Sequence, residues 1–173
     1  PVDIDLYEAK ARPPKDTVIL FSGDVDEPRK GADLLVKAGE RLARNYPDIK
    51  LVFTGRASTT RIAALRALSE RPDQRLHFLG TGQRANLAAL YRQASVLVLP
   101  SAWEAFGLVL IEALASGTPV VAAQAGGGAD IIQHPEVGRL ADLLSNDAIT
   151  SLTQAITGAL ELASDPSTIP LCR

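Results

Sequence analysis

No methionine occurs anywhere in the 173 residues, and the single cysteine, Cys172, stands one residue from the end. One thiol cannot close an internal disulfide, and with only two histidines the chain offers no Cys/His set at zinc spacing. A reducing, cytoplasmic setting is therefore expected. The missing initiator leads us to expect an excised portion of a longer protein. Aromatic residues make up only 5%, too few for an aromatic-rich binding surface. Charge of one sign is lacking as well: 18 Lys+Arg against 20 Asp+Glu give a net charge of -2, so no whole-molecule positive field draws in nucleic acid or anionic lipid. No apolar run approaches the roughly 18 residues that span a bilayer, and the first ten residues alternate charges where a signal peptide would be apolar. The expectation is no nucleic-acid partner and no membrane span.

What the chain does have is 46% hydrophobic residues, mostly Ala, Val, Leu and Ile, at a length suited to one core. From Thr17 onward, short β-branched runs alternate with segments of helical period, the pattern of a parallel sheet covered on both faces. The runs predict strands at Thr17 to Phe21, Ile49 to Thr54, Arg75 to Leu79, Ser95 to Leu99 and Thr118 to Ala122, with a very short sixth near Gly138 to Ala141. Helical stripes follow: Leu34, Leu35, Ala38 and Leu42; then Ile62, Leu65 and Leu68; then Leu87, Leu90, Tyr91 and Ala94, all read as amphipathic covers. The last stripe, Ile149, Leu152, Ile156 and Leu160, follows a cap at Ser145-Asn146-Asp147. The expected fold is α/β, a Rossmann-like doubly wound parallel sheet of five or six strands. Residues 1–16, with three prolines and no periodicity, read as a linker or an externally docked segment, and residues 17–173 as the domain.

In an open α/β sheet the ligand sits outside the carboxyl ends of the strands, where helix N-termini point their N–H groups. The most informative of these loops runs from Pro100 through Trp103, Glu104, Ala105, Phe106 and Gly107 into a helix carrying Leu108 and Glu112. Glu112 lies among apolar neighbours on every side, and an unpaired buried carboxylate costs several kcal/mol, so it requires a partner. A ribose diol, with two hydroxyl donors, is one candidate and a buried arginine is the other. Gly107 allows close backbone approach, and the free N–H groups of the first helical turn suit a diphosphate. Glu104 reads either as a ligand contact or as a solvated loop acid.

The string Glu104-Ala-Phe-Gly-Leu-Val-Leu-Ile-Glu112-Ala-Leu-Ala-Ser-Gly-Thr-Pro-Val-Val resembles the E-x7-E signature of retaining glycosyltransferases of the GT-B fold, family four. Phe21-Ser-Gly, Arg29-Lys30-Gly31, Leu51-Val-Phe-Thr-Gly55, Phe78-Leu-Gly80, Ser95 to Ser101 and Gly126 to Asp130 fall in family order. The resemblance implies one half of a GT-B protein, the C-terminal donor-binding domain. In that case the N-terminal acceptor domain is absent, and the acceptor, a glycan, lipid or small molecule, is bound mainly there.

The resemblance further implies a nucleoside-diphosphate sugar as donor substrate, with no separate cofactor and no required metal. It puts Lys30 on the diphosphate, Glu104 on donor-sugar hydroxyls, Glu112 on the ribose, and the N–H groups of Ala105, Phe106, Gly107 and Leu108 on sugar and diphosphate. Thr81 and Gly82 match the segment that meets the base. Gly23, Arg29 and Arg56 complete the donor-binding set. Taken alone, Lys30 reads as a solvated loop charge beside Arg29.

The chain departs from the family after Gly23, where Asp24 stands in place of the usual arginine. An acid there disfavours a diphosphate unless it points away, and Arg29 is a candidate replacement. This departure keeps a second reading open, a module that binds a nucleotide sugar without transferring it. A GT-B epimerase of nucleotide sugars is a third, although the catalytic histidine such an enzyme needs is not found. His77, in a strand, and His134, in a loop, read as structural or solvent-facing, Trp103 as a packing residue at the cleft edge, and Gly126 to Gly128 as a turn.

Overall fold

The computed structural model describes residues 7, 9–11, 13, 14, 16–82, 84–101, 103, 104 and 106–172, with the side chains of residues 84 and 85 left aside. Six short strands form one sheet: β1 Val18–Ser22, β2 Lys50–Thr54, β3 Leu76–Gly80, β4 Val96–Leu99, β5 Val120–Ala123 and β6 Gly138–Ala141. Every pairing is parallel and the order is β3-β2-β1-β4-β5-β6. This is the doubly wound order, with β1 and β4 side by side at the centre. The expected fold class and the short sixth strand are both present.

Side chains alternate along the central strands, and both faces are buried there. Ile19, Phe21, Val96, Val98 and Val121 enter one core, while Leu20, Leu97, Leu99, Val120 and Ala122 enter the other. The first face is covered by α1 (Ala32–Leu42) and α7 (Ala148–Ser164), through Leu35, Leu42, Leu152, Ile156 and Leu160. Each such buried aliphatic side chain contributes about 1.5–3 kcal/mol of transfer free energy. The second face is covered by α4 (Arg84–Gln93) and α5 (Leu108–Ala115), through Tyr91, Leu110 and Ala113. Asp147 caps α7, its carboxylate accepting the Thr150 N–H at 3.0 Å.

The described residues also include the shorter α-helical pieces α2 Thr59–Arg66, α3 Pro72–Arg75, α6 Gly127–Ile131 and α8 Thr168–Leu171. Two of them correct the sequence reading. Arg75 closes α3 instead of opening the third strand, because its buried guanidinium pairs with Glu40 of α1. Gly127 and Gly128 lie inside α6, not in a free turn, since the Ile132 N–H bonds back to Gly128 O. Leu68 of the second stripe lies beyond α2 and is partly exposed.

The described part of the segment before β1 is docked. Tyr7 packs its ring 6.0 Å from that of Tyr91, and Lys10 is buried with its Nζ donating to Ala94 O at 3.0 Å and Thr118 Oγ1 at 3.2 Å. Among the described residues no helix is long and apolar enough to cross a membrane.

Candidate functional site

Beyond β1 and β4 the chain diverges: α1 crosses to one face of the sheet and α5 to the other, so the two loops part at the switch point. The first loop ends in a 3₁₀ turn, Pro28–Lys30, closed by Gly31 at φ 75°. A Cβ on Gly31 would stand 2.1 Å from Pro100 O, so glycine alone lets this loop press against the fourth. That close approach brings Lys30 Nζ to 2.7 Å from Glu104 Oε2, both side chains largely shielded from solvent.

Glu104 is tied down in two further ways. Its Oε1 accepts the Gly107 N–H at 3.3 Å, and its backbone oxygen accepts the Gly127 N–H at 2.9 Å, which laces the start of α6 to the same loop. Gly107, at φ 66°, is the N-cap of α5. Burial pushes the Glu104 carboxyl up, but the Lys30 ammonium and the N–H groups of Gly107 and Phe106 outweigh it and hold the group below its ordinary value. A lysine, a helix N-terminus and an acid thus converge in one crevice. The first two suit an anion and the third a hydroxyl-rich neighbour.

Glu112 lies farther along α5, half-buried. Its Oε2 accepts a 2.9 Å hydrogen bond from the phenol of Tyr91, a residue with no exposed surface. A buried arginine, one of the two candidate partners, is not what it meets. Burial raises the Tyr91 pKa far above its usual range, so the phenol remains a neutral donor. Tyr91 was legible only as one more apolar position on the α4 stripe. A polar-tipped aromatic on a fully buried face was the available signal.

Asp24 also has its partner. Arg56, just beyond β2, donates to Asp24 Oδ2 from Nη2 at 2.6 Å and from Nε at 3.1 Å. Arg29, the expected replacement for the missing family arginine, turns elsewhere: it pairs with Glu27 and donates from Nη1 to Trp103 O at 3.0 Å. Ser101 Oγ donates to the same oxygen at 3.1 Å, so Arg29 braces the loop that carries Glu104. Trp103 itself is 78% exposed and packs into no core, because both bonds hold its backbone and leave the ring outside.

The remaining residues of the set lie around this crevice. The Gly23 N–H bonds to Thr54 O at 2.9 Å, which keeps it within the sheet's own ladder. Thr81 and Gly82 are exposed beyond β3, and Gly82 borders a cavity of about 260 Å³ with Thr54, Gly80 and Leu90. Phe106 and Leu108 are both exposed large apolar residues beside Gly107. Ala105 lies outside the described residues. A cavity of similar size at the opposite, amino-terminal ends of β1 and β4 presents Asp16 and Glu161, which repel an anion. His77 Nε2 lies 3.1 Å from Gln74 O and His134 is exposed, so neither enters the crevice.

Fold and loop cluster together define a Rossmann-like half of a GT-B protein, its C-terminal domain. Residues 3–166 match the family described as glycosyl transferases group 1, and the chain belongs to it. It is 35% identical over 144 residues to the phosphatidyl-myo-inositol mannosyltransferase of Mycobacterium tuberculosis, covering 80% of this chain and 37% of the relative. Among solved structures it resembles the sucrose-phosphate synthase of Thermosynechococcus elongatus, with a TM-score of 0.74, 26% identity, and coverage of 98% of this chain and 46% of that one. The Anabaena protein HepE, solved with UDP and glucose, matches with a TM-score of 0.69 and 26% identity over 98% of this chain and 53% of its own. The chain therefore spans well under half the length of the curated relative it matches.

Proposed function

We propose that this chain is the donor-binding half of a retaining glycosyltransferase, one that transfers a sugar from a nucleoside-diphosphate sugar to an acceptor. The observation that carries the reading is the crevice at the switch point, where Lys30, Glu104 and the start of α5 converge, with Glu112 farther along the same helix. Lys30 and the first-turn N–H groups receive the diphosphate, Glu112 the ribose, and Glu104 the hydroxyls of the donor sugar. As the bond between the anomeric carbon and the diphosphate breaks, charge grows on the departing oxygen. A fixed ammonium at that point stabilises the change. The acceptor oxygen bonds to the same face of the anomeric carbon, and its proton passes to the leaving diphosphate.

The pairing of Arg56 with Asp24 favours transfer over a module that merely holds its ligand, because the acid next to the diphosphate is already neutralised. The acceptor is bound mainly by residues outside this chain, and transfer requires them. Titration calorimetry of the chain with ADP, GDP and UDP tests the donor reading: binding of at least one is expected, and no heat with any of the three overturns it. The intact protein is then expected to release that diphosphate from the matching donor. Binding without release would establish the non-transferring module instead.

A further inference from the structure

Glu112 is a half-buried carboxylate on α5, and its rotamer is not left to chance. We infer that Tyr91 is a positioning residue for donor recognition: its phenol presets the Glu112 carboxylate so that the free oxygen faces a ribose hydroxyl before any ligand arrives. The inference rests on the reading of Glu112 as the ribose acid.

Three features of the fold support it. First, the phenol donates to only one oxygen, Oε2, at 2.9 Å, which leaves Oε1 and the remaining lone pairs open to a diol. Second, the phenol is itself immobile. The Tyr91 ring has no exposed surface and lies 6.0 Å from the ring of Tyr7, and its oxygen is also 3.4 Å from Ser22 Oγ at the end of β1. Third, the backbone of Tyr91 is clamped from behind. Its carbonyl accepts a 2.7 Å bond from Thr118 Oγ1, and Thr118 in turn accepts from the buried Lys10 Nζ at 3.2 Å, which also donates to Ala94 O just past α4. A cation at that end of the helix complements its dipole.

This chain of contacts runs from the segment before β1, through the last turn of α4, to the carboxylate on α5. A side chain that only filled the core would need neither the bond to Glu112 nor the approach to Ser22, since phenylalanine would fill the same volume. A carboxylate already locked in its bound rotamer spares the ligand the cost of ordering it, which improves affinity for the hydroxyl it faces.

The test uses Tyr91→Phe in the 173-residue chain, titrated with whichever of ADP, GDP and UDP binds and with its 2′-deoxy counterpart. Wild type is expected to prefer the ribose form by roughly tenfold, the scale of one hydrogen bond to a charged group. Tyr91→Phe is expected to weaken the ribose form by about that factor and the deoxy form little, so that the preference collapses toward unity. Equal weakening of both forms, or an unchanged preference, overturns the positioning role and leaves Tyr91 as packing.

Two further outcomes separate this inference from the reading beneath it. If wild type binds none of the diphosphates, the donor site itself is wrong. If wild type binds both forms equally, Glu112 does not read the ribose and the inference falls with it. Tyr91→Phe leaves a shielded carboxylate unpaired, so a Glu112→Gln/Tyr91→Phe double variant keeps the question open should the single variant unfold. In that background the loss of the phenol is expected to change the ribose preference no further than Glu112→Gln alone, and an additional change overturns the proposal.

Discussion

Lys30 Nζ and Glu104 Oε2 stand 2.7 Å apart although they lie 74 positions apart in the chain, and the same carboxylate accepts the N–H of Gly107, the residue from which α5 starts. Both groups assigned to the donor's diphosphate end are thus held in place by the acid assigned to its sugar. Lys30→Ala is expected to weaken nucleoside diphosphate binding by at least roughly tenfold, on the scale of about 1.5–3 kcal/mol for hydrogen bonds to charged groups, as read by calorimetry. The Glu104 carboxyl is held below its ordinary value of 4.5 in the folded state. Its contribution to stability is therefore fully present above pH 4.5 and is lost as pH falls through the lower folded value. Lys30→Ala should make that acid-side loss shallower in urea melts taken from pH 5 to 3.

The Asp24–Arg56 pair predicts opposite effects from its two ends. Asp24→Asn leaves the Arg56 guanidinium uncompensated beside the crevice and is expected to tighten nucleoside diphosphate binding a few-fold, about 3-fold at low ionic strength. Arg56→Ala exposes the acid and should weaken binding to a similar extent. Both partners are solvent-accessible, so each effect should shrink as salt is raised toward about 0.5 M. Effects of the same sign in both variants would show that the pair acts on shape instead of charge.

Gly31 lies where two backbones meet. Gly31→Ala places a methyl group against Pro100 O at a positive φ, and a loss of more than about 2 kcal/mol in urea unfolding is expected. Since the same contact sets the distance between Lys30 and Glu104, diphosphate affinity should fall even at temperatures where the variant remains folded.

Lys10 gives a signature in the alkaline range. Burial lowers its pKa from 10.5 to about 8, while Cys172 opposes the shift. Between these two values the unfolded chain still carries a proton that the folded chain has released, so this group makes stability rise with pH across the window. Cys172, pushed up by burial to about 11, acts in the opposite sense above 9. The difference between wild type and Lys10→Met isolates the lysine: wild type should gain relative to the variant between pH 8 and 10 in thermal melts, and a flat difference would contradict this.

The strands were readable because a sheet buried on both faces leaves apolar runs such as Val96–Leu99, whichever helices cover it. Their ends were less so. Thr17, Ser95 and Thr118 look like strand residues, yet each lies just outside its strand. Ser95 Oγ accepts the Val18 N–H at 3.1 Å and Thr118 Oγ1 donates to Tyr91 O, so these two side chains bond locally just ahead of their strands instead of continuing them. Lys30, Glu104 and Glu112 could be named as candidates from the family pattern. Tyr91 could not, since its stripe on α4 is the same whether the phenol meets a carboxylate or solvent.

Residue order alone determined the alternation that sorts Ile19 and Phe21 from Leu20, the helix start at Gly107 and the spacing of the two acids, because these depend on local periodicity and on glycine's backbone freedom. Partnership across the sheet was decided only in three dimensions. Parallel pairing aligns Ser22 with Thr54, which places Asp24 and Arg56, each the second residue beyond that pair, side by side at the strand ends. The packing of α4 against α5 likewise brings the Tyr91 phenol to Glu112. Charge and hydrogen bonding act through distance, and the distances between such residues are set by strand register and helix packing.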